Sequence, residues 1–591
     1  MNSNHISKML ALVEFQMMNK MKGNICRLEY IPNLAASFIL AKCKEEGIKI
    51  KLIKGQTRYF KDIFINEYKE LLELLNDLNS EDIRCIKLNG LNNLKFIFNL
   101  FRKDEDFFKQ SLRKFYNVAT AKFEADYVNK KEVLELLRIK NGIFQLYDFY
   151  YILRKERNLS IINNLVESIK NVKPDIVAFS LKSNYDYDHI EYVSDFVREA
   201  INRVKKELDI PVIAVGPALP TLNNIEQHIF DNFHLDYYLF DDGKETVSQL
   251  ITNLEQNSSL KDVSNLCYKK GNKIIKNSIK KSVNYDSLPI PDFSDFDLDL
   301  YFFPERILPI DIASVCYWKK CAFCSEVPDI DYNILSKERF LEIIRRYLEK
   351  YNVHFVEIQS TCASAEQLKS YAEILKKNNI KDIYFSTLAR FEEKYVDRAL
   401  AKDFYEGGMR HFMWGLESGS QKILNRMNKG INLKTVEKIL KNFHKNGLTN
   451  MCYVMIGFPG ETREDFNATL NFLQKNHELI DGTIITPFNL FKNSLIMKNP
   501  PNFFIEKVFR NENNPATLKF NLSHGLSQKE SMEILRNIRK KLESSELKIS
   551  NKNMDPLDQF YLDEIGGNDS LHHTLFYQAV KPDLERLKHG R

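Results

Sequence analysis

The sequence predicts an α/β protein. An open, doubly wound Rossmann-like sheet with a helical insertion comes first, then six strands of a TIM-type β/α barrel or most of one, then an α-rich extension. Three observations carry this. Short apolar runs alternate with amphipathic helical segments, the pattern of parallel strands buried on both faces. The alternation comes in two blocks, separated by a stretch at 258–303 rich in Lys, Asn, Asp and Pro. In the second block the chemistry-bearing residues fall just after the apolar runs, at the strand ends where a β/α barrel places its ligands.

The first block opens with a strand at 11–16, a helix at 32–46 entered through Pro32, and a strand at 48–53. From 59 to 158 the spacing turns helical and rich in aromatics, which reads as an insertion. Alternation resumes with a helix at 161–171, strands at 175–181, 211–216 and 236–240, and helices at 190–208 and 245–254. The predicted first domain is therefore 1–257, followed by a linker at 258–303 punctuated by Leu288-Pro289-Ile290-Pro291-Asp292-Phe293.

The barrel is predicted over 304–500. Its strands are 307–315, 354–358, 382–388, 411–416, 451–456 and 483–488, with helices between them. The remainder, 501–591, carries one clear helix at 528–544 and a polar stretch with His572 and His573.

Composition bounds the function. The 591 residues are 44% hydrophobic and 12% aromatic, which is globular rather than disordered. A net charge of +6 from 85 basic and 79 interspersed acidic residues gives no support for nucleic-acid binding. No apolar run approaches the ~20 residues of a bilayer span, and 1–20 holds no signal-peptide core, so a cytoplasmic protein is expected. Nine cysteines, an odd number mostly scattered singly, read as thiols and ligands rather than a disulfide framework.

Three of them are not scattered. Cys316, Cys321 and Cys324 lie in Cys316-Tyr317-Trp318-Lys319-Lys320-Cys321-Ala322-Phe323-Cys324. Soft thiolates so close together suit zinc, a two-iron cluster or a four-iron cluster. Zinc ordinarily needs a second hook of ligands, which is missing. A plant-type two-iron ferredoxin shares the spacing and needs a distant fourth cysteine, for which Cys362 is available, but those domains are β-rich. A four-iron cluster held by three cysteines leaves one iron open.

The third arrangement resembles the radical S-adenosylmethionine (SAM) superfamily, whose Cys-x3-Cys-x2-Cys motif follows the first barrel strand and places an aromatic before the last cysteine. Phe323 occupies that place, while one extra residue separates Cys316 from Cys321. Gly415-Leu416-Glu417-Ser418-Gly419 and Gly457-Phe458-Pro459-Gly460-Glu461 resemble the superfamily's segments at strands four and five. The resemblance implies a [4Fe–4S] cluster on the three cysteines and a SAM site. Glu417 would meet the ribose hydroxyls, Arg390 the SAM carboxylate, Gln359 and Ser360 the amino group, and Gly457, Pro459 and Gly460 the adenine, with Ser418 also in the cofactor-binding set. Blander roles stand beside these: a helix-capping acid for Glu417, a surface pairing with Glu392 or Glu393 for Arg390, a plain turn for the glycines. No residue is singled out as catalytic.

The first block resembles the cobalamin-binding domain of the large B12-dependent radical SAM class. Asp175–181, 210–217 and 236–246 follow that domain's third, fourth and fifth strands, and 289–293 its linker. Ser180 and Gly216 stand where cobalamin contacts would be. The cobalt-ligating Asp-x-His-x-x-Gly run has no counterpart, and Pro217 replaces the second of paired glycines.

The resemblance implies reductive cleavage of SAM to a 5′-deoxyadenosyl radical, then cobalamin-dependent C-methylation of a peptide or other small-molecule substrate. It also implies an electron donor such as flavodoxin or ferredoxin. The alternatives are cobalamin-independent cyclisation, epimerisation or rearrangement, and a non-catalytic Fe–S scaffold. A tRNA methylthiotransferase would need a second cysteine cluster in the first domain, and Cys26, Cys43 and Cys85 do not form one.

Overall fold

A computed structural model describes residues 8–14, 32–54, 68–80, 82–83, 92–119, 138–139, 142–143, 145–146, 155–181, 195–216, 225–271, 273–280, 283–301, 305–325, 331–360, 362–511, 517–542, 579–580 and 583. Cys26, Cys85, Pro217, His572 and His573 lie outside them. Two compact units emerge, one of residues 1–109 and 141–302, the other of 110–140 and 303–591.

In the first unit, β1 (Met9–Glu14), β2 (Lys49–Lys54), β3 (Ile176–Ser180), β4 (Val212–Val215) and β5 (Tyr237–Leu239) are parallel in the order β2-β1-β3-β4-β5. This is a doubly wound sheet whose strand order reverses between β1 and β3. Ile162, Leu165, Val166 and Ile169 of the helix Lys155–Val172 pack on one side with Ala11, Val13, Val177 and Ala214. Leu10 and Leu12, alternating with Ala11 and Val13, are equally buried. Between β2 and β3 the chain forms helices at Lys69–Asn76, Asn92–Lys103 and Glu105–Ala119, where the aromatic helical spacing was read.

The stretch read as a linker departs from expectation. It holds β6 (Leu266–Lys270) and β7 (Lys273–Lys276), which extend the first sheet antiparallel beyond β5. Lysines at the exposed ends of these short strands hide their pattern in the sequence. Further on, the Asp292 amide donates to Ser37 O at 3.1 Å and Lys44 pairs with Asp292 at 2.6 Å, so the Pro-rich segment is pinned to the helix Leu34–Glu45.

The second unit centres on six parallel strands in sequential order: β8 (Ile307–Ile310), β9 (Phe355–Ile358), β10 (Tyr384–Ala389), β11 (Met409–Glu417), β12 (Thr449–Ile456) and β13 (Gly482–Pro487). Each crossover is helical, as in part of a β/α barrel. The outer face is aromatic: Phe412 and Trp414 stack on each other at 5.2 Å and pack against Tyr395 and Phe443. The inner face gathers Met413, Met451 and Ile484 with Leu388 and Tyr453.

Beyond the barrel, β14 (Leu490–Phe491), β15 (Ile505–Arg510) and β16 (Thr517–Leu522) form a small antiparallel sheet before the helix Gln528–Leu542. The extension is thus mixed rather than α-rich at its start. Exposed Glu506, Lys507 and Lys519 weaken the apolar signal of those strands. Among the described residues no helix is long and apolar enough to cross a membrane.

Candidate active site

The cysteine loop is anchored at its entry by Ser360, just past β9. Its hydroxyl accepts from the amides of Ile312 at 2.6 Å and Ala313 at 2.9 Å and donates to Asp311 Oδ1 at 2.9 Å. The loop then carries Cys316, Cys321 and Cys324, each half-buried. The extra residue is absorbed at Lys319, which takes the left-handed conformation at φ 51°. Trp318 Nε1 donates to Asn428 O at 3.0 Å, and the Ala322 amide to Met427 O at 2.8 Å. The turn that follows β11 and the helix Gln421–Arg426 is therefore the template for the loop.

Arg390, at the end of β10, completes the template. Its Nε donates to Lys429 O, Nη2 to Gly430 O and Nη1 to Tyr317 Oη. The fork expected for a carboxylate is thus largely engaged with the loop's own supports, while Glu392 accepts from the Ala365 amide and Glu393 from Thr435 Oγ1. Gly430 sits at φ 66°, and a β-carbon there would stand 2.3 Å from the Trp318 ring.

Glu417 ends β11 at a bulge, in the left-handed conformation at φ 65°. Its Oε1 accepts from Lys429 Nζ at 2.7 Å, and both side chains are about nine-tenths buried. Burial alone would lower the Lys429 ammonium, but Glu417 and Cys321 beside it outweigh that and hold it above its ordinary range. Burial raises the Cys321 thiol, and Lys429 opposes the rise. A fixed positive charge therefore stands between the Glu417 carboxylate and the Cys321 thiol. Lys429 was not singled out from the sequence; the available signal was its place at the end of the segment that starts with Gly415.

The neighbours divide into supports and open groups. Ser418 is fully buried, with its hydroxyl paired to Thr469 Oγ1 at 3.1 Å and accepting from the Ser420 amide, which makes it part of the turn. Gly457 at φ 82° donates its amide to Glu461 Oε2, and a β-carbon there would meet Ser531 Oγ at 2.2 Å. Gly460 at φ 85° would meet Arg426 and Phe504 in the same way, and Pro459 between them is buried. Both glycines are thus required by backbone conformation and by packing of the C-terminal region. Phe323 lies half-buried with its ring centre 5.7 Å from Lys429 Nζ. Gln359 follows β9, its Nε2 buried with no hydrogen-bond partner among the described residues. Cys362 is buried, its thiol donates to Ala363 O at 3.7 Å, and the nearby Cys316 thiol together with burial raises its pKa.

In the first unit Ser180 and Gly216 come together at the ends of adjacent strands, since Ser180 is in register with Val215 on β4 and with Glu14 on β1. Ser180 stands at the reversal of strand order, where open α/β sheets bind ligands. Its hydroxyl is fully buried and partnerless among the described residues. The Gly216 carbonyl accepts from Tyr238 Oη at 2.5 Å.

Among the described residues no three His, Cys, Asp or Glu side chains converge on one point as a single ion requires. Three thiols on one loop beside a buried ammonium would suit an anionic iron–sulfur cluster, whose ligands are spread over separate irons.

A barrel with cysteines after its first strand and an acid at its fourth defines a class, the enzymes that bind SAM at an open iron. Residues 311–473 match the Radical SAM superfamily model, so the barrel carries a radical SAM domain. That superfamily uses a [4Fe–4S] cluster and SAM. An uncharacterized methyltransferase of Pyrococcus horikoshii is 26% identical over 355 residues, 57% of this chain and 74% of that one. The fold is similar to that of TsrM, a radical SAM methyltransferase from Kitasatospora setae, with TM-score 0.50 and 12% identity over 83% of this chain and 77% of that one. It is also similar to OxsB, a cobalamin-dependent SAM radical enzyme, with TM-score 0.55 and 13% identity over 99% and 82% of the two chains.

Proposed function

We propose that the protein is a cobalamin-dependent radical SAM methyltransferase acting on a carbon of a peptide or other small-molecule substrate. Cys316, Cys321 and Cys324 would hold the cluster, which with SAM supplies a 5′-deoxyadenosyl radical. Lys429 offsets negative charge at that site, and Glu417 presents a carboxylate oxygen suited to a diol. Arg390 acts as a positioning residue, holding Trp318 and the turn at Gly430 so that the cysteine loop keeps one path. A flavodoxin or ferredoxin would supply the electron.

The observation that carries the corrinoid half is Ser180: a buried, partnerless hydroxyl at the strand-order reversal, beside the Gly216 backbone. Leaving such a hydroxyl unmatched costs about 1–3 kcal/mol, which a bound polar group would remove. Cobalamin would bind there as a non-covalent ligand, without help from a histidine. The absence of an Asp-x-His-x-x-Gly run favours the second reading, radical chemistry without cobalamin.

The test is direct. Full-length protein, reconstituted anaerobically and given dithionite and SAM, should release 5′-deoxyadenosine, and should retain hydroxocobalamin near one per chain through desalting. Loss of retention in Ser180→Ala supports the assignment. Corrinoid passing straight through would leave only the second reading, and no 5′-deoxyadenosine would favour a scaffold.

A further inference from the structure

The small sheet beyond the barrel has two unlike faces. β15 and β16 pair antiparallel, with Lys507 opposite Asn521, Val508 opposite Phe520 and Phe509 opposite Lys519. Side chains alternate between faces along a strand, and residues opposite one another share a face. Val508 and Phe520 lie inward, in an apolar cluster with Leu490, Ile496 and Leu518. Lys507, Phe509, Lys519 and Asn521 lie outward, and all four are exposed.

The inward face backs the cysteine loop. Ala322, between Cys321 and Cys324, belongs to the same apolar cluster. Its carbonyl accepts from the Ile496 amide at 2.9 Å, and the Ser325 carbonyl accepts from Asn493 Nδ2. One layer of sheet, roughly 10 Å, therefore separates the backbone that carries Cys321 and Cys324 from the solvent beyond Lys507 and Lys519.

The outward face differs from an ordinary solvated surface. Phe509, 45% exposed, stands opposite Lys519 and two residues from Lys507. Arg510 adds an exposed cation at the end of β15, and Glu506, at the bulge, is the one acid of the three strands. Among the described residues none of Lys507, Arg510 and Lys519 forms an ion pair, whereas exposed lysines on the barrel's helices do: Lys376 with Asp403 and Glu406, and Lys475 with Glu437. Lysine on a sheet margin deters pairing with other chains. Lys519, however, is on the central strand, whose two sides are already paired, and an exposed Phe509 on the margin works against that purpose.

Unmatched cations around an exposed ring suit an acidic partner with an apolar centre. The radical SAM reading above needs an electron from a protein donor, and this face lies one layer from the loop that would hold the cluster. We propose that the outward face of β15 and β16 docks a flavodoxin, whose carboxylates meet Lys507, Arg510 and Lys519 and whose apolar flavin edge meets Phe509. One electron passes from the reduced flavin, which is oxidised, to the cluster, which is reduced, with no bond made or broken. The assignment rests on the radical SAM reading and adds to it the place where the donor binds.

The test uses the full-length, cluster-loaded protein with SAM, and a flavodoxin in its hydroquinone form, under anaerobic conditions. By bio-layer interferometry at low salt, the Lys507→Glu/Lys519→Glu variant should associate with flavodoxin about tenfold more slowly than wild type, and the fall of that rate with salt should flatten. Phe509→Ser, which changes no charge, should speed dissociation severalfold. Release of 5′-deoxyadenosine driven by dithionite, which needs no docking, should stay within about twofold of wild type in both variants. Association unchanged by the double charge reversal would overturn the inference, as would an equal loss of the dithionite-driven reaction. A single-stranded RNA oligonucleotide whose binding is lost in the charge-reversal variant, with flavodoxin binding unaltered, would overturn it in favour of a nucleic-acid surface. Dithionite-driven release in the wild type reports separately on the enzymatic reading.

Discussion

The Arg390 guanidinium lies 3.7 Å from the centre of the Trp318 ring, sandwiching the inserted part of the cysteine loop against the carbonyls of Lys429 and Gly430. A planar, delocalised cation can stack and donate in several directions at once; an ammonium cannot.

Arg390→Lys should therefore destabilise the barrel by roughly 2–4 kcal/mol, from a lost stack and at least one lost charged hydrogen bond. The cluster should be lost with a shorter half-life under anaerobic chelation. Urea unfolding and the decay of the cluster absorbance check this, and an unchanged decay would remove the positioning role.

Glu417 and Lys429 form a buried pair, so removing one partner strands the other. Lys429→Met and Glu417→Gln should each cost about 3–5 kcal/mol, and the double variant less than their sum. A double-mutant cycle on the apo protein measures the coupling; additive losses would mean that the pair is not coupled.

Cys362 lies near Cys316 without belonging to the loop. Cys362→Ser should keep the wild-type iron and sulfide content after reconstitution, whereas Cys316→Ser, Cys321→Ser and Cys324→Ser should each lower it severalfold. Iron loss in Cys362→Ser equal to that of the loop variants would make it a fourth ligand.

Burial pushes the Glu461 carboxyl up to about 7, against the opposing Gly457 amide. The folded chain therefore holds a proton that the unfolded chain releases above 4.5. Its contribution to stability is present at low pH and lost as pH rises through that window. Relative to wild type, Glu461→Gln should gain stability from about pH 5 to about pH 8, read as a shift in urea midpoint. A difference independent of pH would refute the shift.

The sequence made the barrel legible because its strands are apolar runs and its site residues follow them directly: Cys316 after β8, Glu417 at the end of β11, Gly457 after β12. It could not reveal which of those residues meet a ligand and which hold up the fold. Arg390 and Ser418 look like binding groups in one dimension, and their partners, Gly430 and Thr469, are distant in sequence. The same limit hid Lys429, whose importance arises only when the turn brings it back to Glu417. β6 and β7 were missed because strands so short, ending in lysine, carry too little apolar signal to separate from a loop.

Those two strands bear on how the molecule avoids its own kind. Were 258–303 a simple tether, β5 would be a bare margin offering unmatched amides and carbonyls to any neighbouring chain. Instead the margin is moved outward to Lys273–Lys276, only four residues long and lysine-terminated, a poor template for intermolecular zippering. Replacing the hairpin with a flexible Gly/Ser spacer would keep the covalent connection and invite precipitation.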